Sequence, residues 1–206
     1  MSQGMTHDDL CARAVRWLRG TMHCNPVFSR NASCGEVPDA IGWTSRYSSH
    51  GSIVVECKTS HSDFLADKKK AVHYKHPEHN YSWYSGRRMA RKVAQREGYI
   101  EVAVPRMGDF RYFMCVSPTF GTRWVGDAII TAEDIQKHAP DHGLLYVEGR
   151  RIRVIVPAPR REKPDYPSEI RYLRFAIING KNPHELVRAD TKVAQATEQT
   201  NHVQEP

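Results

Sequence analysis

Apolar and polar positions along the chain fall into segments of two periods. Leu10, Ala14, Trp17 and Leu18 recur at helical spacing behind Thr6, a capping residue type, with Asp8 and Asp9 in the first turn where the helix dipole favours acids. Gly20 ends that segment. Two extended segments follow, residues 25–33 and 36–42, with Gly35 as a turn or bulge between them. A polar, serine-rich loop spans 44–51, and 53–58 is an apolar strand. Ser60 or Ser62 caps the next helix, with Asp63 early, Lys68, Lys69 and Lys70 late, and Phe64 and Leu65 toward the sheet. Residues 110–116 form a strand closed by Pro118, and Thr131 caps a short helix through Lys137. Residues 143–147 and 151–156 flank Glu148-Gly149-Arg150 as a hairpin, with Ile152, Val154 and Val156 inward. After a basic, proline-rich connector at 157–167, Ser168 opens a final helix with Ile170, Leu173 and Ile177 on one side. From Arg188 the chain is polar and poor in aromatics, so 188–206 reads as a disordered tail.

One strand carries charge where apolar residues are expected. Strand alternation puts Glu56 and Lys58 on one face of 53–58, and Val55 and Cys57 on the other. A buried carboxylate and ammonium must be paired with each other, with other charges or with a metal. Alone, Glu56-Cys57-Lys58 fits a structural ion pair at a strand end. Asp39, preceded by Pro38 at the end of the previous segment, adds a second carboxylate that a sheet could bring alongside.

Together, Pro38-Asp39 and Glu56-Cys57-Lys58 resemble the PD-(D/E)XK motif of the restriction-endonuclease-like nuclease superfamily. The run from Ser60 through Asp63, Phe64 and Asp67 to Lys69 is similar to the strand-to-helix passage of small phage and bacterial members, including the MmcB-like DNA-repair proteins. His61 departs from the arginine expected there. The Phe110-Arg111-Tyr112-Phe113 run also resembles the next strand of that family. The resemblance implies an α/β fold with an αβββαβ core, its mixed central sheet flanked by helices. It implies one domain over 1–187, with 71–104 as a basic helical insertion. It further implies phosphodiester hydrolysis, on DNA, with Mg²⁺ (or Mn²⁺) held by Asp39, Glu56 and the backbone carbonyl of Cys57. Lys58 would orient or deprotonate the attacking water or stabilise the phosphorane. Glu36 and Asp9 would be accessory acids. Nucleases of this type often act as dimers, so a homodimer is an expectation, although no heptad or interface patch points to one. The alternative on the same fold is a nucleic-acid-binding or protein-inhibiting module without catalysis.

Charge supports an anionic partner. The formal net charge is +7, and the pI is near 9.2. Residues 68–98 hold nine basic side chains against two acidic ones, an excess equal to that of the whole chain. Within 71–104 an aromatic, His-rich stretch precedes a short helix over 87–96, with Ala90, Val93 and Ala94 as its apolar stripe. Arg87, Arg88, Arg91, Lys92 and Arg96, with Lys68, Lys69 and Lys70, are the candidate nucleic-acid contacts; phosphate pairing and base stacking need this mixture of residue types. A surface hairpin whose aromatics pack on the domain, with the lysines serving the helix dipole and solvation, is the plainer reading of the same residues.

The remaining composition narrows the setting. No run of about 18 apolar residues exists, so no membrane span is expected. No basic-then-apolar leader opens the chain, so a cytoplasmic location is expected. Five scattered cysteines (11, 24, 34, 57 and 115) include no Cys-x-x-Cys pair and do not suggest a disulfide framework. His73, His76 and His79, or His138 and His142, lack the accompanying cysteine pair of a structural zinc site.

Overall fold

The first helix starts where the sequence places it, because Thr6 and Asp9 form a reciprocal capping box. The computed structural model describes residues 5–29, 37–44, 51–67, 72–75, 77, 83–85, 91–103, 106–117 and 130–178. In chain order the elements are α1 (His7–Gly20), β1 (Val27–Phe28), β2 (Ala40–Thr44), β3 (Gly51–Cys57), α2 (His61–Ala66), β4 (Val72–Lys75), β5 (Trp83–Ser85), α3 (Arg91–Arg96), β6 (Ile100–Ala103), β7 (Phe110–Val116), α4 (Ala132–His138), β8 (Gly143–Glu148), β9 (Arg151–Val156) and α5 (Tyr166–Ile178). The fold is mixed α/β. A six-stranded sheet runs β1-β2-β3-β7-β8-β9. β1, β2 and β3 are antiparallel neighbours, β3, β7 and β8 run parallel, and β9 returns antiparallel. The parallel pairs require crossovers, which α2 with the insertion and α4 supply.

Helices cover both faces, so the central strands read as nearly continuous apolar runs. On one face α1 packs Leu10, Cys11, Ala14, Trp17 and Leu18 over Val55, Cys57, Tyr112 and Met114. On the other, Phe64 of α2 and Ile135 of α4 cover Phe113, Cys115 and Leu144. There too, Tyr172 and Ala176 of α5 cover Phe28, Ile41 and Val54.

Several expectations shift. β2 continues to Thr44 and starts only after Asp39, because Pro38 has no N–H to donate to a ladder. Leu65 is exposed; on the short helix α2 only Phe64 reaches the core. Val154 is exposed too; past it the β8–β9 register slips between Leu144 and Leu145, and both Ile155 and Val156 pack inward. α5 begins at Tyr166 and buries Ser168, Glu169, Tyr172 and Ala176, leaving Ile170 outside. Its rotation is set by a polar anchor. Glu169 accepts from Trp43 Nε1 at 3.2 Å and from the Gly108 amide at 2.7 Å, and lies 2.8 Å from the Ser52 hydroxyl. Burial raises the Glu169 pKa, against those hydrogen bonds. The insertion holds a separate antiparallel sheet, β5-β4-β6, beside the expected short helix α3. Residues 179–206, including the expected tail, lie outside the described residues. Among the described residues no helix is long and apolar enough to cross a membrane.

Gly51 is required at the start of β3. Its φ is +146°, and a Cβ there would lie 2.5 Å from Asp109 Oδ2. Asp109 ties β3 to α5, accepting from the Ser52 amide and the Tyr166 hydroxyl, each at 2.8 Å. Gly51→Ala is therefore expected to lower stability by about 1–3 kcal/mol, read from the urea midpoint.

Candidate active site

β3 delivers Glu56 and Lys58 to the face under α2, as alternation predicts, and Cys57 to the face under α1. Both charged residues are buried, Glu56 at 3% exposure and Lys58 at 2%. Glu56 Oε1 lies 3.2 Å from Arg111 Nη2 and 4.0 Å from Arg106 Nη2. The Ser60 cap starts α2 so that Asp63 and Asp67, one turn apart, sit over the end of β3. Lys58 Nζ donates to Asp67 Oδ1 at 3.0 Å and lies 3.8 Å from Asp63 Oδ2. Arg106 Nη1 donates to Asp67 Oδ2 at 3.1 Å. The Lys58 ammonium also stands 5.6 Å from the centroid of the Phe113 ring. Burial alone would pull the Lys58 pKa down, but the Asp67 and Glu56 carboxylates outweigh it, and the pKa is raised. Lys58 therefore remains an ammonium at neutral pH.

The network continues through β7. Arg111 is fully buried, donating from Nη1 to the Met107 carbonyl at 2.6 Å and from Nε to His142 Nε2 at 3.2 Å. A guanidinium only donates, so His142 Nε2 must accept. Its proton then sits on Nδ1 and is donated to Asp141 Oδ1 at 2.8 Å. The neutral ring stacks on Phe113, 4.6 Å between centroids and 11° between planes. Burial lowers the His142 pKa, and the charges of Arg111 and Arg106 lower it further, against the opposing pull of Asp141. The hydrogen bond from His142 in turn holds the Asp141 carboxyl far below its ordinary value, with Arg161 Nε 3.4 Å away.

A folded-state pKa below the ordinary 6.5 means that the unfolded chain binds the extra proton. His142 should thus make stability fall as pH drops below 6.5 toward its lowered value. Above 6.5 its contribution should be flat. The slope of unfolding free energy against pH in that window should shrink in His142→Gln, whatever that variant's absolute stability.

Asp39 behaves differently from expectation. Continuing the Ala40↔Val55 pairing by one step would set it opposite Glu56, on the same face. The strand does not extend that far. Asp39 Oδ2 accepts from the Cys57 amide at 2.8 Å and lies 3.3 Å from His7 Nε2, on the helix that covers the other face. Asp39 is thus bonded to the residue between Glu56 and Lys58, but the two acids turn to different neighbours. The expected convergence of both carboxylates on one spot is corrected to this extent.

The remaining candidates are scattered. Asp9 Oδ2 accepts from the Thr6 amide at 2.9 Å and the Thr6 hydroxyl at 2.7 Å, so it caps α1 in place of the accessory role. Glu36, Lys68, Lys69, Lys70, Arg87 and Arg88 lie outside the described residues. The Arg91 backbone opens α3, where Lys92 and Arg96 are exposed and Arg96 lies 3.8 Å from Glu97. The sequence reading missed Asp67, Arg106, Arg111 and His142 as partners of the Glu56–Lys58 pair. Only the four-residue spacing of Asp63 and Asp67 was a local signal; the others come from 31 to 55 residues away in their contacts.

No family model matches the chain, and no curated protein matches it. Among solved structures, a protein of unknown function from Silicibacter pomeroyi is similar, with 17% identity over 91% of this chain and 96% of that one, at a TM-score of 0.45. A likeness of that degree adds nothing to the functional reading.

Proposed function

We propose that the protein is a divalent-metal-dependent nuclease acting on DNA, with Asp39, Glu56 and Lys58 as its reactive set. The observation that carries this reading is the 2.8 Å bond from the Cys57 amide to Asp39, which locks the aspartate onto the middle of the Glu-x-Lys strand end. With β4, β5, α3 and β6 set aside as the insertion, the order α1-β1-β2-β3-α2-β7, with β2 and β3 antiparallel and β3 and β7 parallel, supports reading the core as αβββαβ. Carboxylate oxygens on adjoining strand ends are the hard donors that Mg²⁺ or Mn²⁺ takes, so Asp39, Glu56 and the Cys57 carbonyl fit the ion by donor type. Bound there, the ion would supply a nucleophilic water and charge neutralisation at phosphorus. Lys58, kept protonated by Asp67 and Glu56, would supply fixed positive charge to the phosphate oxygens and would not act as the base. Arg106 and Arg111 would hold the Glu56 carboxylate in place, and the exposed Lys92 and Arg96 would meet the sugar-phosphate backbone.

A second reading has its own observation. Glu56, Asp63 and Asp67 are matched by Lys58, Arg106 and Arg111, so this face is charge-balanced without an ion. That balance suits a nucleic-acid-binding module whose former reactive groups serve as a structural lock. Incubation with plasmid, linear duplex, single-stranded DNA and RNA, in Mg²⁺ or Mn²⁺ and then in EDTA, separates the two. Chelator-sensitive cleavage of DNA is the expected result. Binding without cleavage of any substrate in either metal would favour the module.

A further inference from the structure

We propose that His7, Cys11 and Asp39 form a zinc site at the first turns of α1, with Cys57 placed to complete it. The thiol and imidazole donors are softer than those of the magnesium centre proposed above; the two sites share Asp39, which serves one ion at a time. Among the described residues this is the grouping whose His, Cys and carboxylate ligand atoms all lie within 4.8 Å of one another. A four-residue step puts His7 and Cys11 one above the other on the same helix face. Asp39 comes from the segment before β2, its direction fixed by the Cys57 amide in the way that hydrogen bonds orient a metal-binding carboxylate.

The separations suit an ion. Ligands at 2.0–2.3 Å from a tetrahedral zinc lie about 3.3–3.8 Å from one another. His7 Nε2 and Asp39 Oδ2 are 3.3 Å apart, and His7 Nδ1 and Cys11 Sγ are 3.5 Å apart. The two contacts use different ring nitrogens, and with one nitrogen taken from His7 the three ligand atoms lie within 4.8 Å of one another, so binding draws them closer together. The fourth corner can be filled by water or by Cys57, which is buried in the same cluster as Cys11 under α1. The site is closed at the cysteine end, where Cys11 and Cys57 are buried, and open at the other, where the His7 side chain is 33% exposed and that of Asp39 is 16% exposed. An ion can therefore enter from solvent and be held by a dry wall. With water in the fourth corner, a Cys11 thiolate and the Asp39 carboxylate together cancel the ion's two charges, so the filled site buries no net charge. Thiolate and imidazole donors select zinc over magnesium.

The test is a Co²⁺ titration of the full chain under reducing conditions, followed by Zn²⁺ displacement. One equivalent should produce thiolate-to-cobalt charge transfer in the near ultraviolet and the visible bands of a tetrahedral site, both bleached by zinc. His7→Ala, at a half-exposed helix start where misfolding is not expected, should weaken cobalt binding at least 10-fold. Cys11→Ser should diminish the charge-transfer band, and Cys11→Ser with Cys57→Ser should remove it, while Cys24→Ser should leave it unchanged. An absent band, or wild-type cobalt affinity in His7→Ala, would overturn the proposal. The readout is optical and needs no cleavage, so failure of the zinc site and failure of the nuclease reading are told apart although both use Asp39.

Discussion

Asp39→Asn is expected to lose metal-dependent DNA cleavage by on the order of 10³-fold while remaining folded and able to bind DNA. The substitution is chosen because an amide oxygen can still accept from the Cys57 N–H at the end of β3. The sheet end keeps its hydrogen bond, and only the negative charge is removed. Asp39→Ala would also strip that acceptor and lose about 1–3 kcal/mol in addition, which would blur the comparison. The kinetic signature should be a fall in kcat with little change in binding, since Lys92, Arg96 and the rest of the basic surface are untouched. Cleavage at the wild-type rate by a folded Asp39→Asn protein would remove Asp39 from the chemistry.

Arg111→Met is expected to give the largest loss of stability, about 3–5 kcal/mol by urea unfolding. Arg111 is fully buried and serves three acceptors, Glu56, His142 and the Met107 carbonyl. Its removal leaves Glu56 facing Arg106 at 4.0 Å and strips the His142 Nε2 acceptor of its donor. Desolvated charges without a close partner are the costly state, more than the absence of the pair. Pairing Arg111→Met with Glu56→Leu should therefore restore much of the loss, a coupling that a double-mutant cycle measures. Additive losses, with the double variant losing the sum of the two single variants, would mean that Arg111 acts by packing alone.

Local signals carried much of the fold. Thr6, Ser60 and Thr131 cap α1, α2 and α4 because each side chain accepts an amide three residues on, a matter of nearest neighbours. β3 and β7 were legible as apolar runs because both of their faces are covered. What escaped depends on distant partners. The rotation of α5 follows from Glu169 reaching Trp43, 126 positions earlier, so its apolar stripe alone misled. A register slip in β9 brings Ile155 inward beside Val156, which no alternation rule contains. The strands β4, β5 and β6 are short and interrupted by polar residues, which hides their β-forming Tyr and Val content.

The candidate site divides in the same way. Glu56 and Lys58 share a face because a strand has period two. The neutralising arginines were not legible, since one came in at the end of the insertion and the other on β7. Asp39 departed from alternation because Pro38 stops β2 short and frees the carboxylate to reach α1. His7 and Cys11 escaped because a search for clustered histidines or paired cysteines passes over one of each, four residues apart.

Anomalous scattering from crystals saturated with Mn²⁺ tests the central claim most directly. The account predicts a manganese peak at the end of β3, beside the Asp39 and Glu56 carboxylates. A fully soaked crystal with no peak there, and Glu56 still held by Arg111, would contradict it.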